Sequence, residues 1–177
     1  MNIWHDLSPE RVSSEIFTAI IEIPKGSKTK YELDKETGLL VLDRILHTST
    51  CYPANYGLIP LTYADDKDPL DVMVLCSEVI QPMSLVSCRP IGVISMLDGG
   101  FSDDKIIAVP CNDPSYNTYE DISQLPPHIM REMCHFFTVY KELENKQTNV
   151  DEIKNRDAAK SIIEKAINDY LLYIAKK

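Results

Sequence analysis

The sequence has no long apolar run, few basic residues and no paired cysteine motif. No apolar segment approaches the roughly 20 residues that a membrane-spanning helix needs, and residues 1–6 lack the basic and apolar stretches of a secretion signal. The five cysteines, at positions 51, 76, 88, 111 and 134, have no C-x-x-C spacing, which argues against a disulfide framework or a thiolate zinc site. We therefore expect a cytoplasmic protein with no membrane partner.

Positive charge is scarce. The chain has 18 Lys and Arg against 27 Asp and Glu, a net charge of −9. Nucleic-acid-binding surfaces need net positive charge to displace counterions from phosphates, so a nucleic-acid partner is not expected. A polyanion can still bind if metal ions stand between it and the protein. The length of 177 residues predicts a single domain over residues 1–177.

Short strand-like segments separated by turn residues make up the first two-thirds of the chain. The predicted strands are Ile16–Ile23, Lys30–Asp34, Leu39–Leu46, Val72–Cys76, Val86–Arg89, Gly92–Leu97 and Lys105–Val109. Apolar residues at helical spacing predict helices over residues 127–143 and 157–174. Pro126 and Pro127 suit the first turn of the earlier helix, and Asp157 is a suitable cap for the later one. These elements predict a mainly β (α+β) fold, a small barrel with peripheral helices.

Residues 66–71 read Asp-Lys-Asp-Pro-Leu-Asp and stand directly before a strand-like run. Carboxylates this close together repel one another unless positive charge lies among them. Mg²⁺ supplies such charge and binds carboxylate and phosphate oxygens. Pro69 fixes one φ angle and stiffens the loop. The alternative interpretation is a solvated acidic turn.

Several charged residues interrupt strand-like apolar runs, among them Glu22 and Arg44. Because an unpaired buried charge is costly, we expect such side chains to face a wet, charge-compensated cleft. The alternative is a ladder of cross-strand ion pairs on a solvated sheet face. That alternative is strongest for Lys30, Glu32 and Asp34, and weaker for Glu22 and Arg44, whose strands are expected to be more buried.

Two further segments carry polar groups next to turn residues. Asp98, Asp103 and Lys105 flank Gly99-Gly100, a pair that is also typical of an ordinary polar hairpin. Residues 52–57 read Tyr-Pro-Ala-Asn-Tyr-Gly and predict a turn with two phenols four residues apart, which could equally pack as ordinary aromatics. Tyr140 lies on the apolar stripe of its helix, where core packing is the default, and Lys141 lies off that stripe.

Taken in order, these segments resemble the family I soluble inorganic pyrophosphatases in their short bacterial form. The matching segments are Ile21–Pro24, Lys30–Asp34, Asp43-Arg44, Tyr52–Gly57, Asp66–Val72, Arg89–Gly92, Asp103–Lys105 and His135–Lys141. The resemblance covers residues 14–145, and Gly99 stands where the family commonly has a second acid.

The resemblance implies a five-stranded OB-like barrel with two helices in the C-terminal half. It also implies hydrolysis of inorganic diphosphate to two phosphates by metal-activated, in-line attack of water, with several Mg²⁺ ions in each active site. The same resemblance implies a homohexamer. Two metals can lower the pKa of a shared water and stabilise both the attacking and the leaving oxygens.

The resemblance also assigns roles to individual residues. Asp68 would orient or deprotonate the attacking water. Carboxylates would bind the metals directly or through water: Asp66, Asp71, Asp103, Asp98, Glu32 and Glu22. Basic and phenolic groups would hold the phosphates or line the site: Lys30, Arg44, Lys105, Tyr56, Tyr140, Lys141 and Tyr52. These seven acids, Asp68 included, outnumber the four bases, so the site would repel diphosphate unless cations entered.

Three other functions are less consistent with the sequence. An OB-type nucleic-acid-binding module uses basic grooves, whereas the groove residues here are acidic. An EF-hand calcium module would need an acid where Leu70 stands and a glycine at the turn. In an inactive pyrophosphatase-like protein, folding alone would not require the complete set of site residues.

Overall fold

The computed structural model describes residues 2–176, so both ends of the predicted domain, Met1 and Lys177, lie outside the described residues. The structure is mainly β with two α-helices, which confirms the α+β class. The strands are β1 Phe17–Ile23, β2 Thr29–Leu33, β3 Leu40–Ile45, β4 Asn55–Ile59, β5 Leu70–Val74, β6 Leu85–Asp98, β7 Phe101–Ser102, β8 Lys105–Pro110 and β9 Thr148–Asn155. The helices are α1 Pro127–Val139 and α2 Arg156–Ile174. Within residues 2–176, no helix is long and apolar enough to cross a membrane.

Five strands form a closed ring of hydrogen-bonded neighbours, in agreement with the expected five-stranded barrel. The order around the ring is β1, β4, β5, β8 and β6, and β6 pairs again with β1. All of these pairs are antiparallel except β5 with β8, which run parallel and place Asp71 opposite Lys105. Closure leaves the ring strands without a free edge and brings together segments that are distant in sequence.

Strand β6 is longer than predicted and joins the barrel to the outer strands. It combines the two predicted segments that flank Pro90 into one strand of 14 residues. The strand tolerates this proline because Pro90 lies where the register with β8 shifts, the kind of position in which a missing N–H is accepted. β6 also pairs with β7 and β9, while β2 and β3 form a separate hairpin.

The prediction of a turn over residues 52–57 is wrong from Asn55 onward. Asn55–Ile59 is a fully buried strand between β1 and β5. Burial of a strand on both faces removes the alternation of polar and apolar residues that would reveal it. Strand β9 was not predicted for the opposite reason, because most of its side chains are polar and at least partly exposed.

The helices begin where expected but differ in detail. α1 ends at Val139, and a separate 3-10 turn over Glu142–Glu144 replaces the predicted last turn. The cap of α2 is Asn155, whose side chain accepts a hydrogen bond from the backbone N–H of Ala158 at 3.1 Å. The prediction of Asp157 as the cap is therefore wrong; this residue lies in the first turn, where a carboxylate favours the helix dipole.

Alternating residues of the ring strands belong to two apolar clusters, because successive side chains of a strand point to opposite faces. One cluster contains Met73 and Ile107 together with Phe136 of α1. The other contains Val72 together with Ile163 of α2. The two helices therefore complete different clusters around the same strands.

Gly57 is required where β1 and β4 approach each other. A Cβ atom at this position would lie 1.9 Å from the carbonyl oxygen of Ile20, a distance that no real contact allows. The absence of a side chain therefore lets the two strands pair next to Tyr56.

We predict that Gly57→Ala lowers the free energy of unfolding by about 3 kcal/mol, because the added methyl group must push the strands apart. Urea denaturation measures the change. Gly26→Ala is the control, since nothing lies within 4 Å of its Cβ position and only its positive φ costs roughly 1 kcal/mol. Equal losses in the two variants would contradict this explanation.

Candidate active site

A cavity of about 320 Å³ lies between the β2–β3 hairpin, the β4–β5 loop and the start of β8. Apart from Arg44, the predicted site residues all line it. They are Glu22, Lys30, Glu32, Tyr52, Tyr56, Asp66, Asp68, Asp71, Asp98, Asp103, Lys105, Tyr140 and Lys141. The fold thus gathers residues from between positions 22 and 141 into one polar site, while their individual roles remain predictions.

The loop before β5 is closed by its own backbone. The N–H of Ala64 donates to the carbonyl of Asp68 at 2.8 Å, and the N–H of Lys67 donates to the carbonyl of Ala64 at 3.0 Å. The N–H of Asp68 donates to the carboxylate of Asp66 at 3.1 Å. These bonds fix the two acidic residues relative to each other, and Lys67 takes a positive φ of 71° to complete the turn.

Lys105 is the buried charge at the base of the cavity. Its Nζ lies 2.5 Å from a carboxylate oxygen of Asp71 and 2.5 Å from one of Asp103. Burial by itself would lower the pKa of this lysine, but the two carboxylates raise it well above its ordinary value. Lys105 is therefore a permanent cation that holds the two acids together.

Three phenols cover the same cavity. The hydroxyl of Tyr56 accepts a hydrogen bond from Lys105 Nζ at 3.2 Å, and Tyr52 and Tyr140 both pack against Phe136. Burial raises the pKa of all three phenols. They therefore remain neutral and can donate hydrogen bonds to an anion.

Glu22 is the most enclosed acid of the site, as its position in an apolar run predicts. Its side chain is buried and accepts a hydrogen bond from the backbone N–H of Leu33 at 2.9 Å. Burial, and then the nearby charge of Asp71, raise its pKa to about 8. The surroundings therefore favour the protonated form of the Glu22 carboxyl near neutral pH.

Lysines pair with acids at the rim of the cavity. Lys30 pairs with Glu32 on its own strand and with Asp43 across the hairpin at 3.3 Å, so the expected cross-strand ion pair is present. Lys30 and Glu32 also line the cavity, so the expected cleft is present as well. Lys141 pairs with Asp98.

The loop after Asp98 turns tightly through Gly99 and Gly100, which both have positive φ, and this turn agrees with the predicted hairpin. Although the family's second acid is missing here, Asp98 still faces the cavity.

Arg44 does not line the cavity. Its guanidinium donates to both carboxylate oxygens of Glu144 and to Asp43. The expectation that its strand is buried is wrong, because β3 pairs only with β2 in a two-stranded sheet and most of its residues are exposed.

Lys35 lines the cavity but was not among the predicted residues. Its ammonium group pairs with the carboxylate of Asp68. A lysine in a hairpin turn is ordinarily solvated, so the sequence around Lys35 gives no sign of this contact.

Known proteins are similar to this chain in both sequence and fold. The family model described as inorganic pyrophosphatase matches residues 19–171. The chain belongs to the inorganic pyrophosphatase family. Soluble inorganic pyrophosphatase 2 of Chlamydomonas reinhardtii is 49% identical over 167 residues, covering 94% of this chain and 87% of that protein.

Solved pyrophosphatase structures agree with the same assignment. The enzyme of Thermus thermophilus superimposes with a TM-score of 0.91 at 35% identity and covers 96% of this chain and 99% of its own. The enzyme of Helicobacter pylori gives 0.89 at 40% identity and covers 94% and 99%. These relatives place the chain among the family I soluble pyrophosphatases.

The acids of this pyrophosphatase family member suit hard divalent cations. The donors around the cavity are carboxylate oxygens, which Mg²⁺ prefers. Burial and neighbouring carboxylates raise the pKa of Asp66, and burial with Asp71 does the same for Asp103 despite the opposing effect of Lys105. Within residues 2–176, no group of three or more Asp, Glu, His or Cys side chains is arranged to hold a metal ion by itself. An open set of carboxylates fits ions that bind together with substrate phosphates.

We predict that Lys105→Met lowers the free energy of unfolding by about 3 kcal/mol, because Asp71 and Asp103 lose their shared cation. Mg²⁺ should recover part of this loss by supplying positive charge at the same acids. Thermal unfolding with and without Mg²⁺ measures both effects.

Lys154→Met is the matched control for Lys105→Met, because Lys154 forms an exposed pair with Glu152 at 3.6 Å. Removing that pair should cost less than about 1 kcal/mol. If Lys105→Met proved as stable as this control, the bridging role of Lys105 would be wrong.

Proposed function

We propose that this protein is an inorganic diphosphatase that hydrolyses diphosphate to two phosphates and requires Mg²⁺. The observation that carries the proposal is the pairing of Asp71 and Asp103 with buried Lys105, in a cavity that is also lined by Asp66, by further lysines and by buried phenols. Such a site can hold cations on its carboxylates and an anion on its ammonium and hydroxyl groups. Membership of the pyrophosphatase family supports the same reaction.

The proposed metal ligands are the cavity carboxylates. Asp66, Asp71 and Asp103 would hold the tighter ions, with Asp98 and Glu32 available for others and Glu22 acting through water. Bound Mg²⁺ would supply charge neutralisation and would lower the pKa of a coordinated water.

The proposed phosphate-binding groups differ in what they offer. Lys30, Lys105 and Lys141 supply point charges, whereas neutral Tyr56 and Tyr140 donate hydrogen bonds, and Tyr52 lines the wall. Arg44 would join them only after exchanging Glu144 for a phosphate, and a guanidinium can bind either group through two parallel hydrogen bonds. These groups would stabilise the charge that develops on the departing phosphate.

Asp68 is the proposed base. Its carboxylate reaches the cavity from a loop whose backbone is fixed. The side chain is about half exposed, and because Oδ1 is buried beside Lys35, the other carboxylate oxygen is the one that water can reach. It would orient the attacking water and accept its proton, a task for which a positioned carboxylate contributes rate.

The first test is phosphate release from diphosphate. We expect rapid release in Mg²⁺ and none in excess EDTA. The measurement is a colorimetric phosphate assay, repeated with Mn²⁺ and Co²⁺. No release by the folded protein with any of these ions would contradict the proposal and favour an inactive pyrophosphatase-like protein.

We predict that Asp68→Asn lowers kcat by about 10²- to 10⁴-fold, the usual contribution of a general base. The fold should persist because the backbone bonds of the loop do not involve this carboxylate. Steady-state kinetics and circular dichroism measure the two effects. Asp65→Asn is the control, since Asp65 pairs with Lys165 outside the main cavity. Near-normal kcat in Asp68→Asn would refute the role.

The same family membership supports broader proposals. Residues 1–177 would form one catalytic domain, the protein would act in the cytoplasm, and its subunits would form a homohexamer. Sedimentation velocity tests the last proposal, and a purely monomeric profile would refute it.

A further inference from the structure

The amino-terminal segment is fixed against the start of the β4–β5 loop. Trp4 is 2% exposed, and its indole N–H donates to the carbonyl of Thr62 at 2.9 Å. The backbone N–H of Leu61 donates in turn to the carbonyl of Trp4 at 3.0 Å. The amino-terminal segment is therefore held against residues 61 and 62, which stand a few positions before Asp68 in the chain.

Lys35 is held by the same segment at two points. The side-chain amide of Asn2 donates to the backbone carbonyl of Lys35 at 2.9 Å. The Nζ of Lys35 lies 5.7 Å from the centre of the Trp4 ring, within the range of a cation–π contact. Backbone and side chain of Lys35 are thus both anchored, although the side chain is about half exposed.

The ammonium group that Trp4 holds also pairs with the Asp68 carboxylate. The backbone bonds of the loop fix the position of residue 68 but leave its side-chain torsions free. An ion pair with an anchored lysine restricts those torsions. Half-exposed ion pairs contribute little to stability, so the expected effect of this contact is on the orientation of Asp68 and not on folding.

We propose that Lys35, anchored by Asn2 and Trp4, is a positioning residue that orients the Asp68 carboxylate toward the attacking water. The inference rests on the proposed function, because it assigns Lys35 a purpose in the same reaction. The amino-terminal segment, although it does not line the cavity, would thereby help to hold the Asp68 carboxylate in place.

Replacing Lys35 tests this inference. We expect Lys35→Met to lower kcat by about 10- to 100-fold, the cost of a misplaced reacting group. KM should stay within about threefold of the original value, because the change affects the transition state rather than ground-state binding. Lys35→Arg keeps the charge and the cation–π contact and should restore kcat to within about threefold.

Lys165→Met is the matched control. Lys165 pairs with Asp65 on the neighbouring part of the same loop, and its side chain is 60% exposed against 52% for Lys35. Its removal should leave kcat unchanged. Equal losses in Lys35→Met and Lys165→Met would reflect a general effect of lost positive charge and would overturn the inference.

Fluorescence provides a readout that does not depend on activity. Trp4 is the only tryptophan of the chain, so intrinsic emission reports directly on the ring beneath Lys35. In the metal-free protein, Lys35→Met and Asp68→Asn should both shift the emission maximum, and Lys165→Met should not. Unchanged emission in both site variants would overturn the proposed contact.

The results separate the two proposals. If the unaltered protein releases no phosphate, the proposed function fails, and the positioning role fails with it even if emission shifts. If the unaltered protein is active and Lys35→Met has a normal kcat, only the positioning role fails. Loss of kcat with a native thermal midpoint and rescue by Lys35→Arg supports it.

Discussion

The site depends on one buried interaction, the bridge from Lys105 to Asp71 and Asp103. Without a cation between them, two carboxylates at the base of a cavity would repel each other and would favour protonation. The bridge also joins the first residue of β8 to the neighbouring strand β5, so the electrostatics of the site and the closure of the barrel use the same contact. Its lysine cannot be replaced by a neutral residue without affecting both.

Three further acids of the cavity are also paired with lysines, nearer to the solvent. Lys141 pairs with Asp98, Lys30 with Glu32, and Lys35 with Asp68. Asp98 and Glu32 keep some access to solvent, so each can exchange its lysine for a metal ion, whereas the anchored Lys35 stays with Asp68. A cavity with a permanent central cation and exchangeable rim pairs suits an anionic substrate that arrives with cations.

The sequence predicted those features that depend on local composition. The acidic loop at residues 66–71, the burial of Glu22 and the approximate spans of both helices all have local signals. Strand β4 could not be identified, because burial on both faces removes alternation. The contact of Lys35 and the orientation of Arg44 depend on packing between separate elements, which no local pattern encodes.

The route of the chain through the barrel also has a consequence for how the molecule folds. The ring closes only when β8, the last of its strands along the chain, pairs with both β5 and β6. The pairing of β6 with β1 spans more than 60 residues of intervening chain, and the parallel partners of the site are 34 residues apart. Such distant pairings must pay loop-closure entropy before they gain contacts, and they slow folding. Until the ring closes, β1 and the strands that follow it expose unpaired edges, which are sites of misassociation. The ring strands of the folded barrel have no free edge, but a partly synthesised chain exposes such edges until the last ring strand is available.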